Sequence, residues 1–576
     1  ISVAPVNVTI NNPVITAGVQ SFIPVTNTLC FSCQFPIPII PPDTVCANGI
    51  PFYQKLYGGS KDDLAEWLAA SADSGYVIAG QTNSFGNGAF DGLLTKVSKK
   101  GNTVWSKAVG GSGNDVLYGI KRTSDNGFIA VGQTKSYGNP AGDAWLVKLD
   151  ASGTIQWSKK YGDGNANGDV AYEVVQLSDG GYAFNGIHQD AGGVSGSWVV
   201  RTDNQGNVLW SKQYGFTDSD GAWGITEDGN SLIVVGFYRN PSFYDGYVMK
   251  LDKSTGVVQW IRTYDIEVNR HMMMAKVRVT NTGYQVFSLV MDDFAGTNQQ
   301  QVIWNLNTDG TVQNVRKMVV PGIQTSGYGW SPLADGSFVV ANGENNNGAD
   351  VIFTQVNAAG NMLWSKKYFR GGKQWIRAMV PSPEGGYAAT GNNNNAGTTA
   401  DSTDIYLTRI DSLGNSGLCS GINTNDVTVV VPSFSSSAIS VAPVNVTINN
   451  PVITAGVQNF VPVTNTICFY CQPKPTGTAR PATTGRNPHT LRVYPNPVIG
   501  GTVNLSIDAG YDDRAVISIV DLTGNILYKS SSIEVKKGQN NIRLDMPYNL
   551  QSFTNYFIQV RYSEAINSIK IFVVNR

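Results

Sequence analysis

Three stretches of this sequence share one pattern: GNTVWSKAVG at residues 101–110, GTIQWSKKYG at 153–162 and GNVLWSKQYG at 206–215. The central Trp-Ser-Lys recurs at Trp364, and a related phrase begins at Trp260. The tryptophans of these phrases, Trp105, Trp157, Trp210 and Trp260, are 52, 53 and 50 residues apart. A fixed spacing of this size predicts a structural repeat.

Two further copies complete the series. Trp260 and Trp364 are 104 residues apart, which is two periods, and a degenerate copy stands midway at Asn314–Met318. One period before the first tryptophan lies Tyr53, within the sequence FYQKLY. We therefore expect seven repeat units.

Each period reads as four short strands. In the third copy, the turn at residues 179–181 precedes β runs at Tyr182–Ile187 and Ser197–Thr202, and a glycine turn then leads to the tryptophan strand. Asp-Gly and Asn-Gly pairs supply the positive φ angles that tight hairpins require. Four-stranded units of about 50 residues are typical of β-propellers, so we expect an all-β chain with a seven-bladed β-propeller over residues 49–417.

The phase of the repeat predicts how the first and last units join. The strand at residues 52–57 corresponds to a fourth strand without its first three, whereas the last unit, residues 375–410, has three strands and no fourth. We expect the N-terminal strand to complete the last unit beside residues 404–411. Cys46 and Cys419 flank these two strands and are predicted to form a disulfide; the alternative is two unrelated thiols in loops.

Composition excludes several classes of protein. Glycine makes up 63 of 576 residues and only 14% of the residues are charged, against about a quarter in an average soluble protein, so a coiled coil or a helical enzyme is excluded. The 41 basic and 42 acidic residues nearly cancel, which argues against nucleic acid or an anionic membrane as a partner. No apolar run reaches the ~18 residues of a transmembrane segment.

A segment of the sequence occurs twice. Residues 1–34 (copy 1) and 439–472 (copy 2) agree at 30 of 34 positions. Each copy reads as two or three short strands and is too small to bury a core of its own, so it must pack on something else. The copies pair within one chain, or join successive subunits into an open filament, or are a recent duplication with no assembly role.

Each copy ends in a Cys-x-x-Cys, formed by Cys30 and Cys33 in copy 1 and by Cys468 and Cys471 in copy 2. We expect local or copy-to-copy disulfides, as in exported proteins. The alternatives are a zinc site made by four thiolates and a redox pair, which needs a helix N-terminus that neither flank provides.

One loop has the spacing of calcium ligands. Asp163, Asn165, Asn167 and Asp169 place oxygen atoms at positions 1, 3, 5 and 7 of a loop with glycine at position 6. The glutamate expected at position 12 is replaced by Val174. Calcium is therefore a candidate cofactor, and a plain Asn/Gly turn is the alternative.

The C-terminal residues 490–576 read as a separate β-sandwich. The strands are expected at Val503–Ile507, Ala515–Val520, Ile526–Tyr528, Asn541–Leu544, Tyr556–Tyr562 and Ser568–Val574.

Motifs in this region resemble a known family. They are Tyr494-Pro495-Asn496-Pro497, then Asp521 and Gly524 in Ile-Val-Asp-Leu-Thr-Gly, and Lys570 in Lys-Ile-Phe-Val-Val. Together they are similar to the type A sorting domain of the Bacteroidota type IX secretion system, except that Asn555 stands where the family has glycine. The resemblance implies export by the type IX machinery, followed by attachment to the cell surface or release.

Three tripeptides resemble the Asp-Ser/Thr-apolar O-glycosylation sequon of Bacteroidota. They begin at Asp43, Asp401 and Asp411, and the resemblance implies O-glycosylation of Thr44, Ser402 and Ser412.

The expected function is structural. His188, His271 and His489 lie in different contexts and no Gly-x-Ser-x-Gly motif is present, so we expect no catalytic residues. The leading hypothesis is a secreted cell-surface assembly protein, a filament or surface layer, that self-associates through its duplicated segments. The alternatives are a glycan-binding adhesin whose exposed aromatics Tyr328, Trp330 and Phe243 hold surface glycans, and a polysaccharide-active enzyme.

The chain thus divides into six parts. They are a copy-1 segment with its lead-in (1–48), the propeller (49–417), a Ser-rich linker (418–438), copy 2 (439–472), a Pro/Thr/Gly linker (473–489) and the sorting domain (490–576).

Overall fold

The computed structural model of the chain contains strands and no helix among the residues that it describes. Within those residues, Ile50–Gln472 lie in one compact unit, here called the body, and His489–Asn575 lie in a second. The structure describes residues 50–215, 217, 219–267, 269–293, 298–319, 325–344, 350–369, 373–394, 402–416, 422–423, 427–439, 441, 443–446, 453, 455–472, 489–494, 498–499, 502–520, 526–545, 554–562 and 566–575.

In the described part of the body, 28 strands form seven antiparallel four-stranded units, and within each unit successive strands pair as neighbours. The sixth and seventh units belong to one ten-stranded sheet, joined by a parallel pairing of Gly327 with Ile376. The strands are β1 Ile50–Gly58; in unit 1, β2 Asp63–Ala70, β3 Tyr76–Thr82, β4 Asp91–Val97 and β5 Thr103–Gly110; in unit 2, β6 Asp115–Arg122, β7 Phe128–Thr134, β8 Asp143–Leu149 and β9 Ile155–Tyr161; in unit 3, β10 Val170–Gln176, β11 Tyr182–Gln189, β12 Ser195–Thr202 and β13 Val208–Tyr214; in unit 4, β14 Asp220–Asp228, β15 Ser231–Asn240, β16 Phe243–Asp252 and β17 Val258–Ile266; in unit 5, β18 His271–Thr280, β19 Gly283–Met291, β20 Gln300–Asn307 and β21 Val312–Val319; in unit 6, β22 Thr325–Pro332, β23 Phe338–Glu344, β24 Asp350–Val356 and β25 Met362–Phe369; and in unit 7, β26 Lys373–Pro381, β27 Tyr387–Asn394 and β28 Thr403–Ile410, with β1 as the fourth strand.

The register of the strands shows that copies of the sequence repeat occupy the same position in their four-stranded units. Trp105 pairs with Lys96 on the third strand of its unit, and Trp157 pairs with Lys148 in the same way. The degenerate copy keeps this position, where Asn314 pairs with Asn305. The fourth strands of the units are therefore equivalent, and the repeat period corresponds to one four-stranded unit.

The N-terminal strand completes the last unit. β1 pairs antiparallel with β28, with Tyr53 opposite Arg409 and Tyr57 opposite Ile405. This is the pairing that the phase of the repeat predicts. Cys46 and Cys419, the two cysteines predicted to bridge this junction, lie outside the described residues.

Among the described residues, a recurring contact attaches five of the seven units to the next unit. The Trp157 ring lies against Gly206, whose φ is 76°, and the Tyr161 hydroxyl donates a hydrogen bond to the Gly206 carbonyl at 2.8 Å. Trp157 and Tyr161 are on the fourth strand of unit 2, and Gly206 is in the last turn of unit 3. The same tyrosine-to-glycine bond joins Tyr57 to Gly101, Tyr214 to Gly256, Tyr264 to Gly310 and Tyr368 to Gly414.

Hydrophobic cores lie between neighbouring units and close the series. Val77 and Leu94 of unit 1 share a core with Leu117 of unit 2. Ile405 of unit 7 shares a core with Leu68 of unit 1. The last unit therefore packs on the first.

A further set of strands lies on the outer edges of these units. We call the described residues between 422 and 472 the belt. Its strands are β29 Ile422–Asn423 on unit 6, β30 Thr428–Val430 on unit 5, β31 Phe434–Ile439 on unit 4, β32 Pro443–Asn445 on unit 3, β33 Gly456–Asn459 on unit 1 and β34 Val463–Gln472 on unit 7.

The belt corrects one expectation from the sequence. Residues 418–438 are predicted to be a Ser-rich linker, yet β29, β30 and part of β31 lie there and pair with the outer strands of three units. An outer strand presents a row of backbone N–H and C=O groups that a further strand satisfies. This backbone pairing depends little on side chains, so a serine-rich composition does not prevent it.

The C-terminal unit consists of two sheets that share one core. Three strands form the sheet β35-β37-β41, and the second sheet has the order β36-β43-β42-β38-β39 with β40 on β38. Leu505 and Ile507 from one sheet pack with Ile517, Ile519 and Ile558 from the other. The strands are β35 His489–Tyr494, β36 Val498–Ile499, β37 Thr502–Ala509, β38 Asp513–Val520, β39 Ile526–Lys529, β40 Ile533–Val535, β41 Gly538–Asp545, β42 Thr554–Arg561 and β43 Ile566–Asn575.

Candidate functional site

Copy 2 forms most of the belt and binds successive units at regular intervals. The backbone N–H of Val446 donates to the carbonyl of Ser211 at 3.0 Å, that of Ile453 to Ser158 at 2.9 Å and that of Phe460 to Ser106 at 3.2 Å.

The three acceptor carbonyls belong to the serines of the Trp-Ser-Lys phrase in units 3, 2 and 1. The three donors are seven residues apart, since 453 − 446 and 460 − 453 both equal 7. This part of the belt thus has a seven-residue period, with one anchoring residue for each of units 3, 2 and 1.

Side chains reinforce these anchors. Val446 is 9% exposed and belongs to the core between units 2 and 3, and Ile453 packs on the core between units 1 and 2. The Phe460 ring stacks on Phe85 of unit 1, with ring centroids 3.9 Å apart and planes 11° from parallel. Beside Phe460, the Lys107 Nζ donates to the Asn459 Oδ1 at 2.9 Å.

Copy 1 has the same anchoring residues in its sequence. Val8, Ile15 and Phe22 stand where copy 2 has Val446, Ile453 and Phe460.

Two of the four differences between the copies fall at described side chains. Val461, which is 82% exposed, is replaced by Ile23, and Asn459 is replaced by Ser21. The remaining two differences are at positions 467 and 470. Copy 1 itself lies outside the described residues, but its sequence carries each apolar side chain that anchors copy 2.

Cys468 and Cys471 both lie on β34, which pairs with β1 over its length. Three residues along an extended strand span roughly 10 Å between Cα atoms, whereas a disulfide needs Cα atoms within about 7 Å. The backbone separation along β34 thus exceeds that limit, and the copy-to-copy disulfide stays a prediction. Cys30 and Cys33 lie outside the described residues.

A second feature lies where the first strands of all seven units meet. A cavity of about 210 Å³, here called the central cavity, is lined by side chains from β2, β6, β10, β14, β18, β22 and β26. The lining residues are Glu66, Trp67, Tyr118, Tyr172, Trp223, Ala275, Lys276, Tyr328 and Arg377.

Each first strand has a break in register at this level. The pairing skips Glu66 in β2, Tyr118 in β6, Tyr172 in β10 and Trp223 in β14. The equivalent breaks in the remaining units skip Ala275, residues 327–328 and Arg377. A β-bulge re-aims a side chain out of the pleat, and every unit contributes a skipped residue to the cavity wall. No motif marks these positions in the sequence; aligning the seven units by structure identifies them.

The wall of the central cavity combines aromatic rings and charges. Tyr118 contacts Tyr172 at 5.3 Å between centroids, Tyr172 contacts Trp223 at 5.7 Å, and Trp223 contacts Tyr328 at 6.0 Å. The Lys276 Nζ lies 4.3 Å from the centroid of Trp67. These contacts form a continuous arc of four rings, with a fifth ring beneath a lysine.

Charged groups flank the arc. Arg377 and Glu66 lie 3.6 Å apart, and Lys121 and Glu173 form an ion pair at 2.7 Å. Burial lowers the pKa of Lys276 to about 7, partly countered by the charge of Glu173.

Of the three aromatics expected to be exposed, only one reaches the cavity. Tyr328 lines it. Trp330 is 5% exposed and packs against Phe287 in a core. The expectation of an exposed Trp330 is therefore wrong, because both faces of its strand are covered. Phe243 is half-buried beside His271, with ring centroids 5.4 Å apart.

The calcium-like loop is held by hydrogen bonds among its own groups and to His188. Asp169 pairs with the buried His188 Nδ1 at 2.7 Å, and the Asn165 side chain donates to Asp163 at 2.9 Å. The Asn167 side chain donates to the Asp190 carbonyl at 2.6 Å. This arrangement favours the Asn/Gly turn alternative, and no group of three or more His, Cys, Asp or Glu residues within the described ranges could hold a metal ion. Calcium binding here remains a prediction.

The predicted O-glycosylation sites differ in exposure. Ser412 is exposed in the turn after β28, whereas Ser402 is 9% exposed. Thr44 lies outside the described residues. The geometry therefore favours Ser412 among the two described sites.

The histidines lie in separate places, His188 on β11, His271 on β18 and His489 on β35. In the sorting motifs, Tyr494 ends β35 and Lys570 lies on β43 opposite Phe557. Pro495, Asn496, Pro497, Asp521 and Gly524 lie outside the described residues.

The C-terminal unit matches a known family. Residues 492–575 match the secretion system C-terminal sorting domain. This type IX sorting domain makes the protein cargo of the type IX machinery, and the protein is therefore secreted or located at the cell surface. No helix in the described ranges is long and apolar enough to cross a membrane.

Several solved structures are remotely similar to this chain. No curated protein matches it. A protein of unknown function from Dyadobacter fermentans DSM 18053 is similar over 63% of this chain and 98% of its own, with 11% identity and a TM-score of 0.37. Sqt1 from Chaetomium thermophilum covers 63% of this chain and 98% of its own, with 9% identity and a TM-score of 0.35. A repeat from a large adhesion protein covers 89% and 99%, with 11% identity and a TM-score of 0.12. TM-scores this low support no argument about function.

Proposed function

We propose that the seven units form a seven-bladed β-propeller and that the protein is a non-enzymatic assembly component of the cell surface. In this proposal, copy 1 of one molecule takes the place of copy 2 on the outer edges of the next molecule. Repetition of this head-to-tail exchange produces a filament or a surface layer, because the contact does not close on itself.

The observation that carries the proposal is the binding of copy 2 to the sheet edges. Its anchors, Val446, Ile453 and Phe460, bind successive units at a seven-residue spacing. Copy 1 has identical residues at all three positions. A segment with the same anchors at the same spacing has the residues needed to bind the same edge.

The energetics explain why such exchange is possible. The exchanged contacts resemble those lost, so the free energy of exchange is small compared with that of binding. Within one chain, copy 2 has the advantage of a high effective concentration. Crowding of exported molecules at a surface raises the concentration of copy 1 around each edge and shifts the balance towards exchange.

A pair of neighbouring substitutions in copy 1 tests the proposal. Phe22→Asp removes the counterpart of Phe460, the residue stacked on Phe85, whereas Ile23→Asp changes the counterpart of Val461, which is 82% exposed. We expect assembly to be lost with Phe22→Asp and kept with Ile23→Asp, as measured by size-exclusion chromatography with light scattering and by negative-stain microscopy.

The reciprocal substitution addresses copy 2. Phe460→Asp weakens the resident belt and therefore makes the edge more available to copy 1 of a neighbour. We expect it to increase assembly at equal protein concentration. Monomers for the unmodified chain at all concentrations, or equal assembly of the Phe22→Asp and Ile23→Asp variants, would contradict exchange between molecules.

A further inference from the structure

We infer that the central cavity binds a single sugar ring that carries a carboxylate, of the hexuronic acid class. This inference does not depend on the proposed assembly, because the cavity lies at the first strands of the units and the belt lies at their fourth strands.

The aromatic arc supports a ring-shaped ligand. Tyr118, Tyr172, Trp223 and Tyr328 contact one another in sequence around the wall. Aromatic faces provide apolar surfaces on which the C–H face of a sugar packs, while polar groups at the margin fix its orientation. Unit 5 contributes the small Ala275 at the equivalent position, and Trp223 of unit 4 contacts Tyr328 of unit 6 directly, so the arc stays continuous.

The volume and access limit the size of the ligand. The cavity has about 210 Å³, below the roughly 300–1,000 Å³ of sites that hold drug-sized molecules. The Arg377 side chain, which lies at the wall, is 31% exposed. The cavity therefore has a solvent-facing side and accommodates one ring, such as the terminal residue of a polysaccharide.

The charges select an acidic ring. Lys276 and Arg377 provide two cations in the cavity wall and Glu66 provides one carboxylate, while the ion pair of Lys121 and Glu173 lies outside the lining residues. Glu66 lies 3.6 Å from Arg377 and Glu173 lies 2.7 Å from Lys121. The cavity therefore has one cation more than it has carboxylates.

Lys276 is a buried cation whose direct contacts are a backbone carbonyl and an aromatic ring. Its Nζ donates to the Tyr328 carbonyl at 2.6 Å and lies over Trp67, and the residue is 7% exposed. A buried ammonium gains strongly from an anionic partner. A ligand carboxylate within reach of Nζ would supply that partner.

The same geometry makes binding depend on pH. Burial lowers the pKa of Lys276 to about 7, so a fraction of the amine is neutral at pH 7.5. Glu66, Lys121, Glu173 and Arg377 also face this region, as do the phenols of the arc, whose pKa values burial raises. Because the carboxylate binds the protonated amine, the complex takes up a proton, and affinity falls as the pH rises from 6 to 8.5.

The test is calorimetric titration of the full chain with D-glucuronate and with D-glucose, which differ in the carboxylate. We expect saturable binding of glucuronate at pH 6, about tenfold tighter than that of glucose, and weaker binding at pH 8.5. Lys276→Met removes the charge and keeps the length of the side chain, so it should abolish the preference for glucuronate and the pH dependence. Lys250→Met is the control, since Lys250 also lies near an aromatic ring, Tyr284 at 5.7 Å, but outside the cavity.

A second measurement uses the unmodified chain. Titrations at pH 7.5 in buffers of different ionisation enthalpy report proton uptake directly, so the result stands even where Lys276→Met fails to fold. No saturable glucuronate binding at pH 6, equal affinity for glucose, or binding without proton uptake would overturn the inference.

Discussion

Single residues explain why the tryptophan phrase repeats. Trp157 and Tyr161 are four positions apart on one strand and meet the same glycine of the next unit, Gly206. The recurrence of tryptophan and the need for glycine in tight turns could be read from the sequence. Their meeting across units could not, because it depends on how two sheets pack, and neither residue signals its partner.

The Gly206 contact predicts a specific cost of adding one methyl group. A Cβ at Gly206 would lie 2.9 Å from the Trp157 ring, and the positive φ already disfavours alanine. We expect Gly206→Ala to lower the free energy of unfolding by about 2–4 kcal/mol, measured by calorimetric or denaturant unfolding.

Gly180 in the same unit provides the matched control. Its φ is 86°, and a Cβ there would meet nothing within 4 Å. Gly180→Ala should therefore show only the backbone cost, roughly 1–2 kcal/mol. Equal losses for the two variants would mean that the tryptophan contact contributes nothing beyond the backbone.

At the scale of elements, the belt is the part of the fold that sequence reasoning missed. Residues 418–438 read as a linker because serine clusters usually mark flexible chain. The seven-residue period of Val446, Ile453 and Phe460 was present in the sequence. A period of seven predicts no structure for an isolated strand, because the side chains of a strand alternate with a period of two. It becomes interpretable once the spacing between neighbouring sheet edges is known.

The period predicts that the belt tolerates substitutions better than changes of length. Insertion of one glycine between Ala455 and Gly456 makes the spacing from Ile453 to Phe460 eight residues, so the two anchors no longer reach units 2 and 1 together. We expect faster limited proteolysis near residue 460 and faster hydrogen exchange of the Phe460 amide.

An insertion elsewhere controls for a general effect of chain length. Gly192 and Gly193 lie in an exposed turn of unit 3, and one glycine added between them should leave the belt protected. Unchanged protection at Phe460 after the belt insertion would show that the anchors act independently of their spacing.

At the scale of the whole molecule, the first strand of the body completes its last unit, and the phase of the repeat predicted this pairing of β1 with β28. The central cavity is also a property of this scale. Three of its residues, Glu66, Tyr172 and Arg377, differ in type and lie more than 100 residues apart along the chain, so no local pattern links them. They are linked by the equivalent bulge in each first strand.

The junction between units 7 and 1 predicts a pH dependence of stability. Burial, with the charges of Asp63 and Asp62, raises the pKa of Asp404 to about 6. Because the folded state holds this proton more tightly than the unfolded chain, stability decreases as the pH rises from about 4 to 6 and stays reduced above that. Asp404→Asn removes the charge and should stabilise the protein by about 1 kcal/mol above pH 6, allowing for solvent screening, with little gain at pH 4.

Asp125 provides a contrasting carboxylate. Burial opposes its ionisation, but hydrogen bonds from Lys148, Thr123 and Gly127 outweigh that effect and lower its pKa to about 2. Asp125→Asn should therefore destabilise the protein at neutral pH. Thermal unfolding between pH 4 and 8 distinguishes the two outcomes, and a loss of stability for Asp404→Asn above pH 6 would contradict the assignment.

The path of the belt gives the molecule a particular response to mechanical load. Tension on the chain beyond Gln472 acts first on β34, then on β33 and then on the anchor at Ile453, because these contacts are connected in series along the chain. Each anchor that yields releases seven residues, about 2 nm of extended chain, while the units beneath keep their own cores. We therefore expect the belt to lengthen in steps under tension, with β34 and β33 leaving the edges of their sheets before the four-stranded units unfold.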